Sequence, residues 1–385
     1  MLDFIFYNPT KIIFGRQAIK LIAPEIPAKS KVMITYGSAS AKRHGVLDKI
    51  KEALNGYDLT QFGGIEPNPE YEILMKGMEL AREKKIDFLL AIGGGSVIDG
   101  TKFMAAAIPF KDNPALLLAN AGSDIKQSLP IGTVVTLPAS GSEMNNRAVI
   151  SRKALQIKQA ILNDILFPRF SVLDPTITFT LPAKFVGNGV VDTFVHVLEQ
   201  YMTYPVNGKV QDRLAEGLLL MLIEEGPRAL AEPEDYDVRA NLMWGATLGL
   251  NGLLGAGVPQ DWAAHRSGYE LTVLYGLDHA QTLACLVPAM LKIRAGDKKQ
   301  KLLQYAERVW GINSGDEDAR INEAINKTRK FFESMGLPTR LSDYGIKSDC
   351  IPRILGKLKE HGMVNLGERK DVTPEMMQKI LENCL

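Results

Sequence analysis

What most constrains the fold of this 385-residue chain is a change of hydrophobic period near residues 175 to 182. Upstream, "KVMITYG", "YDLTQF", "DFLLAIGG", "GTVVTLP" and "FSVLDP" read as short buried strands. Between them lie helical segments such as "EPNPEYEILMKGMELAREKK", with Asn68 expected as N-cap and Pro69 at the first helical position, and "SVIDGTKFMAAAI". Strands alternating with helices predict an α/β domain whose mostly parallel sheet carries helices on both faces. "DFIFY" and "KIIFG", joined by Asn8 and Pro9, read as a hairpin over residues 3 to 15. Downstream, "PAKFVGNGVVDTFVHVLEQYMT", "VQDRLAEGLLLMLIEEGPRAL" and "VRANLMWGATLGLNGLLGAG" keep a helical period with almost no strand signal. Two domains are therefore expected, residues 1–178 being α/β and 179–385 all-helical, with a cleft between them.

A net charge of +1 supplies no field for nucleic acid, and no basic run suggests a membrane surface. No apolar stretch is long enough to span a bilayer, and the first residues lack a signal-peptide pattern. The cysteines, Cys285, Cys350 and Cys384, are too scattered for a disulfide framework or a Cys-rich zinc site. A cytoplasmic protein is expected, with neither a nucleic-acid nor a membrane partner.

"AIGGGSVIDGTK" sets Gly93, Gly94, Gly95 and Ser96 between a buried strand and a helix. Glycines let backbone approach a phosphate, and the helix start offers free N–H groups and a positive dipole end. The motif is neither the Rossmann G-x-G-x-x-G nor a Walker loop, and alone it reads in roughly a third of cases as a mere tight turn. After the earlier strand, where an NAD site usually places a carboxylate for the ribose, none occurs from Thr35 to Leu47. Gly37, Ser38, Ser40, Lys42 and Arg43 stand there instead, chemistry that suits the 2′-phosphate of NADP.

Only five histidines occur. "GVVDTFVHVLEQ" places Asp192 and His196 four apart on one helical face. That pair alone is more often structural than metal-binding. His265 and His279 add two imidazoles in apolar helical settings, and burying three imidazoles without a shared partner is costly. One carboxylate with three imidazoles suits a divalent metal such as Fe²⁺ or Zn²⁺. Asp278 reads as an N-cap, which puts His279 in a first helical turn where the dipole favours neutral imidazole. His44 and His361 lie in polar contexts and read as surface residues.

With "GGGSVIDGTK", "LPASGSE", "VVDTFVH", "QDWAAH" and "GLDHAQTLA" in that order, the chain resembles the iron-containing alcohol dehydrogenase family, in particular its butanol-dehydrogenase-like branch of NADPH-dependent aldehyde reductases. The resemblance runs over nearly the whole chain. It implies metal ligands at Asp192, His196, His265 and His279, and 2′-phosphate contacts from Gly37, Ser38 and Ser40. It implies pyrophosphate contacts from Gly94, Gly95, Ser96 and Asp99. Thr136, Leu137, Ser140 and Ser142 match the segment lining the middle of the cofactor, and Lys158 matches a lysine near the nicotinamide. The expected activity is metal-dependent, reversible hydride transfer between NADP(H) and a small aldehyde or its primary alcohol, in a homodimer. A polyol or sugar-phosphate dehydrogenase, or a dehydroquinate-synthase-like lyase, shares the architecture. A metal-dependent hydrolase would leave the cofactor turns without a purpose. The chain departs from many relatives at Tyr269, where they carry a second histidine one turn after His265; the tyrosine could instead line the substrate pocket.

Overall fold

The computed structural model describes residues 1–37 and 45–385. Its strands are β1 (Lys11–Phe14), β2 (Lys31–Tyr36), β3 (Asp58–Phe62), β4 (Phe88–Gly94), β5 (Ile131–Leu137), β6 (Arg147–Arg152), β7 (Ile157–Leu162) and β8 (Phe170–Leu173). Six of them form one sheet in the order β1-β8-β5-β4-β2-β3, every neighbouring pair parallel, while β6 and β7 form a separate antiparallel ribbon. In β2, Val32, Ile34 and Tyr36 enter one apolar layer and Met33 the other; in β4, Phe88, Leu90 and Ile92 oppose Leu89 and Ala91. Both faces are covered, which is why these strands read as unbroken apolar runs. Helix α1 (Val46–Ala53) packs into the first layer; α2 (Tyr71–Lys84), α3 (Gly95–Ala107) and α4 (Ala115–Ala119) pack into the second.

The hairpin expected at residues 3 to 15 does not form. Only Lys11–Phe14 is a strand, and it pairs in parallel with β8. The Asn8 side chain donates to the carbonyls of Met144 and Asn251, each at 2.9 Å, while its oxygen accepts from Thr10 N. The Asn8–Pro9 step is therefore an anchored connection, and "DFIFY" finds no antiparallel partner. Nor does Asn68 cap a helix: α2 starts two residues after Pro69, and Asn68 takes a left-handed φ of 57°.

The second half supplies α5 (Ala183–Tyr201), α6 (Lys209–Ala231), α7 (Tyr236–Gly249), α8 (Ala263–Tyr275), α9 (His279–Ile293), α10 (Lys299–Arg308), α11 (Glu317–Ser334), α12 (Cys350–Glu360) and α13 (Pro374–Asn383). The described chain resolves into two compact units, one of Tyr7–Leu181 with Pro233–Asn251, the other of Met1–Phe6, Pro182–Glu232 and Gly252–Leu385. A single cut at 178 thus becomes a discontinuous division. Helix α7 belongs with the sheet: Met243 joins the layer of α2 and α3, and Thr247 Oγ1 donates to buried Glu143 at 2.5 Å. Helical period identifies such a segment without saying which body it covers. In the helical unit α5 is buried without interruption from Gly189 to Tyr201, so it is a central helix. Its polar residues must find partners inside the protein. Among the described residues no helix is long and apolar enough to cross a membrane.

Candidate metal centre and cofactor turn

The continuous burial of α5 gives its Asp192 and His196 their significance. Asp192 Oδ1 stands 3.7 Å from His196 Nε2, 3.8 Å from His265 Nε2 and 3.7 Å from His279 Nε2. His265 comes from the first turn of α8, and His279 opens α9. Between these helices Gly276 adopts a left-handed φ of 70°, ending α8. Asp278 then caps α9 in a capping box with Gln281, as the sequence led us to expect. The His196 and His265 rings stack at 4.5 Å, and Trp262 closes edge-on against His265 at 5.2 Å.

These separations exceed hydrogen-bond length. Two ligand atoms at ~2.1 Å from a tetrahedral ion stand about 3.4 Å apart, close to the spacings here. Asp192 Oδ1 and His265 Nε2 are buried and have no hydrogen-bond partner. Asp192, His265 and His279 place ligand atoms within 4.8 Å of one another, and His196 approaches the same carboxylate oxygen. Buried polar atoms left without partners, drawn from an oxygen–nitrogen donor set, fit a divalent cation.

Electrostatics agree. Burial alone would raise the Asp192 carboxyl, yet the imidazoles of His196, His265 and His279 hold it well below the carboxylate range. Burial alone would lower the His265 imidazole, but the Glu199 and Asp192 carboxylates push it up to about 9. Two carboxylates facing the imidazoles call for positive charge, which a divalent cation supplies while leaving its imidazole ligands neutral.

Glu199 was not singled out from the sequence. One oxygen accepts from Ala264 N at 2.7 Å, and the other accepts from His265 Nδ1. Its signal lay in the spacing, since Asp192, His196 and Glu199 fall at i, i+4 and i+7 on one helical face. Tyr269 lies with its ring centroid 6.1 Å from that of His279. His361 is not a surface residue: its side chain is 8% exposed and pairs with buried Glu270 of α8 at 2.8 Å. A buried carboxylate required that partner.

The glycine turn sits where the chain reverses its direction of travel across the sheet, with β3 outside β2 and the chain returning at β4. Ligands of open parallel sheets bind at such switch points, beyond the strand carboxyl ends. Gly37 follows β2, and its carbonyl accepts from Gly64 N. The β4–β5 register shifts between Gly93 and Gly94, after which Gly95 opens α3 without a side-chain cap. A Cβ on Gly95 would fall 2.2 Å from Ser140 Oγ, and one on Gly94 3.1 Å from Leu137 Cβ. Gly94, Gly95, Leu137 and Ser140 are thus brought together, with Thr136 at the end of β5.

Asp99 and Ser142 are committed internally. Asp99 accepts from Ser142 Oγ at 2.6 Å and Val149 N at 2.8 Å. Lys102, fully buried, donates to Ser142 Oγ, to both oxygens of Asn145 and to the Arg147 carbonyl. Burial pushes the Asp99 carboxyl up and the Lys102 ammonium down to about 8. Ser96 Oγ accepts from Asn68 N, and Lys158 Nζ donates to Asn68 Oδ1 at 2.8 Å, so Lys158 reaches the turn through Asn68. Sequence reading missed Asn68 and Lys102 here. Ser38, Ser40, Lys42, Arg43 and His44 lie outside the described residues.

Family models of iron-containing alcohol dehydrogenases match residues 9–175 and, for the C-terminal part, 187–385. The chain belongs to the iron-containing alcohol dehydrogenase family. It is 56% identical over 384 residues to the NADPH-dependent aldehyde reductase YqhD of Escherichia coli, covering 99% of each chain. It is 36% identical to NADH-dependent butanol dehydrogenase A of Clostridium acetobutylicum, again over 99% of each. A solved structure of the E. coli reductase, free of substrate and cofactor, superposes with a TM-score of 0.95 at 54% identity, covering 100% of both chains. NADH-dependent butanol dehydrogenase A of Thermotoga maritima superposes with a TM-score of 0.95 at 31% identity, covering 100% of this chain and 99% of that one. Membership makes this chain an oxidoreductase of the butanol-dehydrogenase-like branch.

Proposed function

We propose that the chain reversibly reduces small, uncharged aldehydes to primary alcohols with NADPH, using one Fe²⁺ or Zn²⁺ held by Asp192, His196, His265 and His279. The observation that carries this reading is the approach of three imidazole nitrogens to one buried carboxylate oxygen. When bound, the metal supplies Lewis-acid polarisation of a carbonyl and the dihydronicotinamide supplies the hydride. The protein's own part is binding and orientation. The first N–H groups of α3 and the Cβ-free backbone of Gly94 and Gly95 suit a pyrophosphate. Asp99, Ser142 and Lys102 brace that turn from inside, while Thr136, Leu137, Ser140 and Lys158 stand for contacts farther along the cofactor. Gly37, Ser38 and Ser40 stand for contacts to the 2′-phosphate, supported by the NADPH dependence named for the E. coli relative. Tyr269 would line the substrate pocket, its hydroxyl bonding water.

Arg266 is the chief cation near the ligands in sequence, which favours uncharged aldehydes over phosphorylated substrates. We expect a cytoplasmic homodimer. Leu2, Phe4, Ile5 and Phe6 are exposed, Ile5 at 97%, and β1 lies at the sheet edge, features a second copy would cover. Light scattering giving a monomeric mass would overturn the dimer. The functional test is His265→Ala, expected to fold, to lose metal and to stop oxidising NADPH with a short aldehyde. Undiminished turnover by a folded H265A protein would refute the assignment.

A further inference from the structure

We infer that Glu199 is a positioning residue: it holds the His265 imidazole in the tautomer that presents an Nε2 lone pair to the metal. This rests on the metal-centre reading above and extends it beyond the four ligands. Glu199 is buried on α5, seven residues from Asp192 and three from His196. Its carboxylate faces α8, whose preceding residue, Trp262, has a left-handed φ of 60° and provides no side-chain cap. Glu199 Oε1 fills that vacancy from the neighbouring helix by accepting from Ala264 N at 2.7 Å. Its Oε2 accepts from His265 Nδ1 and, at 3.4 Å, from His265 N. The backbone carbonyl of the same residue accepts from Asp261 N at 2.9 Å. One glutamate thus fixes the entry to α8, the start of the helix and the ring it carries.

The chemistry follows from proton count. A carboxylate only accepts, so His265 Nδ1 must carry a proton toward Glu199. In neutral imidazole the second nitrogen, Nε2, then bears the lone pair. That atom faces Asp192 Oδ1 at 3.8 Å and has no hydrogen-bond partner. Outer carboxylates that orient a ligating histidine in this way typically support metal affinity 10–100-fold.

Glu199→Gln separates positioning from scaffolding, because the amide keeps the shape. Its carbonyl oxygen continues to accept from Ala264 N, but its NH₂ then faces His265 Nδ1 and donates to it. That contact favours the tautomer protonated at Nε2, the wrong one for a metal. Metal-free wild type and E199Q are titrated with Co²⁺ against a competing chelator, and their melting is compared without metal. We expect Co²⁺ affinity to fall about 10–100-fold while metal-free E199Q still melts cooperatively, at a lower temperature than wild type because the amide no longer pairs with the His265 imidazolium. Equal affinity in a folded E199Q protein overturns the inference, as does an affinity loss that only accompanies collapse of the metal-free fold. Should E199Q not fold, ¹⁵N-histidine spectra of the Zn²⁺-loaded wild type decide: a slowly exchanging His265 Nδ1 proton is expected, and a proton on Nε2 overturns it. Wild type that binds neither ion sinks the metal centre itself, whereas tight wild-type binding with no E199Q effect sinks only the role of Glu199.

Discussion

Gly187→Ala tests whether the metal-bearing helix is held in place by backbone contact. Gly187 lies on α5 five residues before Asp192, and a Cβ there would fall 2.1 Å from the Met335 carbonyl oxygen and 3.2 Å from the Met335 carbonyl carbon. Met335 follows the last turn of α11. Unstrained carbon contacts lie at about 3.5–4.0 Å, so helix and chain must part by about 1.4 Å or more, and a carbonyl cannot rotate away as a side chain could. Overpacking of this kind costs about 1–3 kcal/mol. Replacing glycine by alanine inside a helix returns about 1 kcal/mol. Taking the upper end of the clash leaves a net loss of about 2 kcal/mol. Gly217→Ala on α6 is the matched control: nothing lies within 4 Å of its Cβ position, so only the helix gain of up to about 1 kcal/mol remains. Urea unfolding of both metal-free variants beside wild type reads the two signs. G187A should also retain less metal after dialysis, because α5 carries Asp192 and His196. A G187A protein as stable as wild type, or a G217A protein destabilised to the same degree, would show that the Met335 carbonyl does not hold α5 in place.

Glu216 accepts hydrogen bonds from Tyr201, Arg213, Gln304 and Arg308. Burial would raise its carboxyl, but these donors outweigh it and hold the group below the ordinary glutamate value. A depressed carboxylate stabilises the fold above its unfolded value and loses that contribution as pH falls through the folded one. Glu216→Gln should therefore cost about 1–3 kcal/mol at pH 7, and urea titrations should show the gap closing as the pH falls below the ordinary glutamate range; a constant gap across pH would contradict this. Tyr269→Phe should leave metal content unchanged by elemental analysis, since the hydroxyl is outside the proposed ligand set; metal loss would make Tyr269 a ligand. Cys285, Cys350 and Cys384 are buried, and burial pushes the Cys285 thiol up to about 12. A colorimetric thiol reagent should find none of the three in native protein and all three in urea, and rapid native labelling would argue against that packing.

The α/β half was legible because strands buried on both faces leave unbroken apolar runs, as in "DFLLAIGG" and "KVMITYG". "DFIFY" carries the same apolar signal without being a strand. Pairing depends on a partner that local pattern does not reveal, and Asn8 spends its amide on two distant carbonyls. The allegiance of α7 was hidden for a related reason: helical period reports an apolar stripe, not the surface that meets it. At the candidate site Asp192, His196, His265 and His279 stand out in the sequence, since histidine is rare here and imidazoles in apolar helices need a partner. Glu199 was overlooked because a glutamate near the end of a helix ordinarily faces water. Its burial follows from α8 packing over it, which is tertiary information. Asn68 was misread for the opposite reason, a good capping residue in a good capping position whose backbone turns left-handed to meet Ser96.

On the proposed function, a metal held by the α5–α8–α9 cluster is required for nicotinamide-dependent aldehyde reduction. The most direct measurement is NADPH absorbance with a short aldehyde, using chelator-stripped protein before and after reconstitution with Fe²⁺ or Zn²⁺, and with NADH in parallel. The stripped protein should consume negligible NADPH, recover activity on addition of at least one ion, and turn over faster with NADPH than with NADH. Full activity in protein verified to be metal-free would contradict the proposed function, as would no reduction with any ion and either nicotinamide.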